Sequence, residues 1–279
     1  MTIRTSTPTI DELPSLLRAL AAWQHDDRTA QLHPGDLGWY WRFGTRRTAE
    51  SLRTWSRSGV LLAVGLLDGP DVLRLEIAPE ALHDDELTLR LAEGAADVAS
   101  VATPADAPLR DQLLRDGWEP GEAWTPLRRD LTAPVPAPDA RIETAGPEQA
   151  ADRTAVQRAA FAGSTFTPER WHTMAAGAPY AAARCLLARD DHGRPVAAAT
   201  VWSAGEGRPG LIEPMAVHAD HRRLGHGRAV TLAAAHALRA LGSSSAVVCT
   251  PSDNTAAVAT YRSAGFQQLP DLRDLHRKA

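Results

Sequence analysis

Apolar and polar positions along the chain keep two different periods, and the places where one gives way to the other mark out its elements. Apolar runs at 60–67 and 72–77 read as strands on either side of the turn Asp68-Gly69-Pro70. Before them, a helix capped by Thr9 or Asp11 runs to about Ala22; after them come a helical pattern at 84–96 and a strand near 97–102. Beyond residue 140 the pattern predicts a helix over 147–162, then a loop from Gly163 that leads into a second helix by Met174. Strands at 185–189 and 196–203 form a hairpin about Asp190-Asp191-His192-Gly193, and a strand follows at 211–217. The alanine- and leucine-rich segment 229–241 is a helix closed by Gly242. A strand at 246–250, a helix at 254–264 stopped by Gly265 and a returning strand from Phe266 complete the order. Such alternation predicts an α/β (α+β) fold, a mixed sheet with helices on both faces.

The two halves repeat one another. Val101-Ala102-Thr103-Pro104-Ala105-Asp106-Ala107 matches Val248-Cys249-Thr250-Pro251-Ser252-Asp253-Asn254, and Leu114-Arg115-Asp116-Gly117-Trp118 matches Arg262-Ser263-Ala264-Gly265-Phe266. Each half thus has a strand, a helix opening after Thr-Pro and a glycine stop before an aromatic residue. In this register Asn254 falls opposite Ala107 and Tyr261 opposite Leu113. A Pro- and Ala-rich stretch at 132–139 reads as a semi-rigid linker between a first domain, 1–131, and a second, 140–279.

A length of 279 residues suits two domains, and 44% hydrophobic content with a net charge of −4 describes a soluble globular protein. The mildly acidic balance, without a basic block, argues against nucleic acid as a partner. No apolar run approaches the ~20 residues that span a membrane. The first thirty residues lack a signal-peptide pattern, so the expected location is cytoplasmic. Cys185 and Cys249 lie in apolar stretches and are expected to be reduced and buried. Most tryptophans, Trp23, Trp39, Trp41, Trp55, Trp118 and Trp124, fall in the first half, where core packing competes with a pocket or an interface as their use.

The chemistry concentrates between the strand at 211–217 and the helix at 229–241. Arg222-Arg223-Leu224-Gly225-His226-Gly227-Arg228 is a turn with two glycines leading into a helix N-terminus. Backbone N–H groups and the helix dipole make such a turn receptive to an anion, and Arg222, Arg223 and Arg228 add full charges. This describes a cradle for a pyrophosphate, with a plain structural turn as the alternative. A P-loop would need Lys-Ser/Thr where Arg228-Ala229 stands, and a dinucleotide fingerprint needs Gly or Ala where Val230 stands. At the equivalent place the first half has Ala78-Pro79-Glu80-Ala81-Leu82-His83-Asp84-Asp85-Glu86, without glycine and with four acidic residues that would repel a pyrophosphate. The first copy is therefore expected to be degenerate.

Arg222-x-x-Gly225-x-Gly227, followed by Asn254-x-x-Ala257-x-x-x-Tyr261-x-x-x-Gly265-Phe266, resembles the paired acyl-CoA motifs of the Gcn5-related N-acetyltransferase (GNAT) family over roughly residues 141–270. The duplicated layout is similar to the family's tandem members, so the resemblance implies two GNAT-like domains, each a mostly antiparallel mixed sheet. It further implies that acetyl-CoA is the co-substrate. Pantetheine would pair with the backbone of Met215, Ala216 and Val217, and the pyrophosphate would rest on amides of Arg222, Arg223, Leu224, Gly225, His226, Gly227 and Arg228. Asn254 would bond the cofactor or cap its helix, or do both. Tyr261, two helical turns on, would protonate the leaving thiolate as general acid, with packing as its ordinary reading.

Glu213 is the candidate general base. By period two it shares a face with Met215 and Val217, unless Pro214 brings in a bulge; a surface ion pair is the ordinary reading, and an ordered water chain is another proton acceptor. His218, His221, His226 and His236 have no strong ligand spacing, so no metal is expected, and neither cysteine has an activating histidine. The expected activity is acetyl transfer to a small-molecule amine, with homodimerisation left open. The rival readings are a non-catalytic CoA-binding or regulatory module, an acyltransferase for longer acyl chains and, more weakly, a protein acetyltransferase.

Overall fold

The computed structural model describes residues 2–69 and 71–278; Pro70, the last residue of the predicted turn, lies outside them. The first half contains β1 (Arg4–Ser6), α1 (Leu13–Ala22), α2 (Pro34–Tyr40), α3 (Thr45–Glu50), β2 (Leu52–Arg57), β3 (Val60–Leu67) and β4 (Val72–Ile77). It continues with α4 (Asp85–Gly94), β5 (Ser100–Ala102), α5 (Pro108–Arg115) and β6 (Trp118–Asp130). The second half contains β7 (Arg141–Thr144), α6 (Ala150–Ala160), α7 (Pro168–Ala175), β8 (Ala183–Arg189), β9 (Pro195–Ser203) and β10 (Gly210–Val217). It ends with α8 (His226–Ala240), β11 (Ser245–Pro251), α9 (Thr255–Ser263), β12 (Gln267–Gln268) and β13 (Leu272–Arg277).

The internal repeat is visible in the backbone. Ala107 and Asn254 are the N-cap residues of α5 and α9, and the stops Gly117 and Gly265 have left-handed φ of 86° and 82°. Leu113 and Tyr261 both point into cores. Hydrophobic burial on the inner face of each helix, not cap chemistry, is what the two copies share.

A sheet of 13 strands runs through both halves in the order β1-β2-β3-β4-β5-β13-β6-β11-β10-β9-β8-β7, with β12 also on β6. Among the described residues only β4–β5 and β10–β11 are parallel pairs. The sequence divides near residue 131, but the sheet does not. β6, from the first half, pairs with β11 from Ser245↔Asp130 to Pro251↔Trp124, while β13, from the second, lies between β5 and β6. The last strand of each half therefore lies against the fifth strand of the other.

In the second half α6 and α7 pack Val156, Trp171 and Met174 on one face of the sheet, and α8 and α9 pack Val230, Leu238 and Tyr261 on the other. Trp23, Trp41, Trp55 and Trp118 fill the first half's core, whereas Trp39 and Trp124 line a cleft between the halves. Both uses foreseen for these residues are thus present.

Helix α2 reaches across to the second half by lying flat on Trp202 of β9. A Cβ added at Gly38 would stand 2.4 Å from Trp202 Cζ3, and one at Gly35 2.5 Å from its Cβ. Gly38→Ala is accordingly expected to cost about 1–3 kcal/mol by overpacking. Urea unfolding checks this, and an unchanged midpoint would show that α2 does not depend on the contact.

Candidate functional site

Strands β10 and β11 are neighbours only at Gly210↔Ala246 and Leu211↔Val247. Past this pair they part, and the edge of β10 from Ile212 to Val217 that faces β11 has no strand partner among the described residues. On its other edge β10 stays paired to β9, with a register shift between Ile212 and Met215. That irregularity, at Glu213–Pro214, resets the alternation: Ile212 packs in the same cluster as Met215 and Val217, while Leu211 and Ala216 pack on the opposite face. Period two from Met215 thus does not reach Glu213. Instead the Glu213 side chain meets Asp36 of α2, and the Trp202 indole N–H donates to its carbonyl oxygen at 2.7 Å.

The gap opens into a cleft of about 730 Å³ lined from both halves, including Glu213, Met215, Cys249, Asn254 and Tyr261. Cys185 is buried and Cys249 is not, which corrects the expectation for the latter. The reason is the splay: by position 249 no strand covers that side of β11. Low-dielectric surroundings still push the Cys249 thiol up to about 12, so it stays a neutral thiol at ordinary pH.

The predicted cradle lies beside this cleft, at the N-terminus of α8. Gly225 is the N-cap with φ of 85°, and no side chain caps the helix. The first helical bond runs from the Ala229 N–H to the Gly225 carbonyl, so the amides of His226, Gly227 and Arg228 have no intrahelical acceptor. Arg223 also takes a left-handed φ, 63°, in the same turn. The two glycines serve different ends. The space beside Gly225 is open, whereas a Cβ at Gly227 would come within 3.0 Å of Thr260 Cγ2 and 3.4 Å of Val217 Cγ2, so Gly227 brings α8 close to α9 and β10. Arg222 donates to the Ala160 carbonyl and Arg228 to the Ser263 carbonyl, pinning the rim to the ends of α6 and α9.

In the first copy the equivalent helix end is filled from within. Asp84 caps α4 by accepting from the Leu87 N–H at 2.9 Å, and Arg57 pairs with Asp84 and Glu86 at 2.6 and 2.8 Å. Carboxylates of the chain itself occupy the place where α8 leaves bare amides.

Asn254 lines the cleft and is an N-cap, its Oδ1 accepting from the Ala257 N–H at 3.2 Å, so its NH₂ group takes no part in the cap. Tyr261 is 5% exposed and packs near Phe266, with ring centroids 6.0 Å apart. Burial, then the nearby Glu213 and Cys249, raise its phenol above the ordinary tyrosine value, so it keeps its proton. Glu213 is pushed up to about 8, first by burial and then by the carboxylate of Asp36, to which it hydrogen-bonds; Arg74 pulls the other way.

Asp36 and Arg74 belong to the first half and escaped the sequence reading. Arg74, on β4, stands 2.9 Å from Asp36 and 3.7 Å from Asp68. Burial works against its charge, but Asp36, Glu213 and Asp68 outweigh it and hold it protonated. A box at the start of α2 fixes Asp36: its Oδ2 accepts from the His33 N–H, while His33 Nδ1 accepts from the Gly35 N–H. The buried His33, lowered to about 4 by desolvation, is neutral, and its Nε2–H donates to Pro209 O at 3.1 Å. The motif His33-Pro34-Gly35-Asp36 was the one local signal available, since it marks a helix start with an acid at its third position.

Among the described residues no group of three or more His, Cys, Asp or Glu is placed to hold a metal. His218, His221 and His226 make edge contacts with one another along the loop, at ring separations of 5.3 and 6.3 Å. No helix among the described residues is long and apolar enough to cross a membrane.

Comparison with known proteins bears on this geometry. In overall fold the chain is similar to a GCN5-related N-acetyltransferase from Sphaerobacter thermophilus, with 19% identity and a TM-score of 0.63 over 99% of this chain and 95% of that one. An acetyltransferase of the GNAT family from Colwellia psychrerythraea has 17% identity and a TM-score of 0.64 with full coverage of both chains. A tandem GNAT protein from the clavulanic acid biosynthesis pathway has 19% identity and a TM-score of 0.60 over 98% and 97%. A search of curated proteins gave no match. At these identities the structures establish a shared two-half fold. Residues 155–266 match the sequence model of the acetyltransferase (GNAT) family. The match runs from within α6 to Phe266, taking in the strand gap, the loop before α8 and Tyr261, and this part of the chain is a domain of the acetyltransferase (GNAT) family.

Proposed function

We propose that the protein is an acetyl-CoA-dependent N-acetyltransferase acting on a small-molecule amine, with the cofactor bound by the second half. The observation that carries this reading is the open β10 edge leading from the cleft toward the uncapped N-terminus of α8. The edge backbone of Met215, Ala216 and Val217 suits the amides of a pantetheine arm, and the bare amides from Arg222 to Arg228 suit a pyrophosphate. The thioester supplies an activated acetyl group. Glu213, as carboxylate, takes the proton from the amine as nitrogen attacks the carbonyl carbon. Tyr261, buried and protonated, gives its proton to the sulfur as the C–S bond breaks. A backbone N–H at the end of β10 polarises the carbonyl oxygen.

Calorimetry with acetyl-CoA tests the cofactor assignment, comparing wild type with Gly225→Trp. Micromolar binding by wild type is expected, lost in a variant that still unfolds cooperatively. Thiol release with a library of amines then tests the transfer. Absence of binding to wild type at high micromolar ligand sinks the transferase reading. Binding without turnover of any amine favours a regulatory CoA module, and faster turnover with longer thioesters favours a different acyl donor.

A further inference from the structure

The cleft has a second charged end, and nothing in the acetyl-transfer chemistry uses it. Arg28 lines the cleft with its side chain 15% exposed. Its Nε and one terminal nitrogen, Nη2, are buried without a hydrogen-bond partner. Glu76 and Asp106 form ion pairs with Nη2 at 3.8 and 3.6 Å, but both stand beyond hydrogen-bond reach. Glu76 has another employment: its Oε2 accepts from the Gln31 and Leu32 amides at 2.9 and 3.3 Å. Burial also raises the Glu76 carboxyl, against the pull of Arg28 and of those amides. A guanidinium left this way pays desolvation without its bonds. What satisfies its fork is an anion with two oxygens.

The two ends are held at a fixed spacing by one strand. On β4 the residues Val72, Arg74 and Glu76 alternate with the core residues Leu73, Leu75 and Ile77. Arg74 and Glu76 are thus roughly 7 Å apart on one face. Arg74 holds Asp36, next to Glu213, and Glu76 stands next to Arg28. Two other charged groups of the cleft are engaged elsewhere: Arg128 donates to the Asp26 carbonyl, and the Asp26 carboxylate accepts from Ser245. Glu213 and Arg28 line the same cleft, and the first half supplies the Arg28 end.

Resting on the transferase reading above, we infer that the acceptor is a small amine that also carries an anionic group, carboxylate or phosphate, gripped by Arg28 while its nitrogen faces Glu213 and Asp36. The first half is then the part of the protein that selects the acceptor.

The test is steady-state thiol release from acetyl-CoA with matched amines: linear alkylamines of two to six carbons, and the same amines ending in a carboxylate or a phosphate. For wild type, kcat/KM is expected to be roughly 10- to 100-fold higher with one anionic series than with the uncharged series, chiefly through KM. Which anionic series wins identifies the anion. In Arg28→Met the ratio falls to about one, and in Arg28→Lys, which keeps the charge and loses the fork, it falls part of the way. Calorimetric acetyl-CoA binding controls for folding in both variants. The inference is overturned if wild type uses uncharged amines equally well, if it binds acetyl-CoA yet acetylates no anionic amine, or if Arg28→Met keeps the ratio. The wild-type panel decides alone should a variant fail to fold. Failure of wild type to bind acetyl-CoA instead removes the transferase reading beneath it.

Discussion

Glu213→Gln is expected to lower kcat by roughly 10²- to 10⁴-fold, the usual range for removing a general base, with acetyl-CoA binding little changed. Its pH behaviour distinguishes this from a loss of shape. The working form is the carboxylate, so wild-type kcat should climb as pH passes about 8, the value to which burial and Asp36 push the group. Glutamine should flatten that limb. Stability should move the opposite way. The folded value lies above the ordinary 4.5, so the folded protein retains a proton that the unfolded chain releases. The contribution to stability is full below pH 4.5 and is lost as pH rises through about 8. The Tm of Glu213→Gln, relative to wild type, should therefore rise between pH 5 and 9. A Tm difference independent of pH, with an unaltered rate profile, would remove Glu213 from the proton path.

Trp202→Ala is expected to be the most damaging single truncation for stability, at about 3–5 kcal/mol. Trp202 is 2% exposed and sits where three demands meet. Its indole is the surface on which α2 lies through Gly35 and Gly38, its N–H holds the Glu213 carbonyl, and its ring meets Tyr180 edge-on at 6.1 Å. Removing it leaves a cavity under α2 and frees the bulge that aims Glu213, so kcat should fall together with the denaturation midpoint. Trp202→Phe retains most of the bulk and loses the hydrogen bond, and should fall between the two. Urea unfolding and thiol release measured on the same samples check this. A loss below 1 kcal/mol for the alanine variant would contradict the central place given to the residue.

Much of the second half was legible because its signals are local. The hairpin strands at 185–189 and 196–203 were marked by the turn residues between them, the stops Gly242 and Gly265 lie at helix ends, and the Arg/Gly turn lies between a strand and a helix. Asn254 and Tyr261 came within reach because their spacing resembles a GNAT motif, and the repeat in the first half showed only that Ala107 and Leu113 stand in their places there. Three things were not legible. Glu213 was identified, but its direction is set by a bulge whose register exists only once β9 is in place. Asp36 and Arg74 act at the site through contacts between residues far apart in sequence, and no local pattern encodes which strand will face which helix. Cys249 lies in an apolar run, and only the parting of β10 from β11 exposes it.

The crossing of β6 and β13 between the halves bears on how the chain can be made. A ribosome delivers residues in order, yet β5 in the first half, which ends at Ala102, waits for β13, which begins only at Leu272. Leu275, from that segment, is fully buried in the first half's core. The first half cannot finish while its own C-terminal strand has been committed to β11, so both halves close together, in a step dominated by contacts of long sequence separation. Shortening the chain by its last eight residues would injure the half farthest from the cut, and neither half expressed alone would hold a complete sheet.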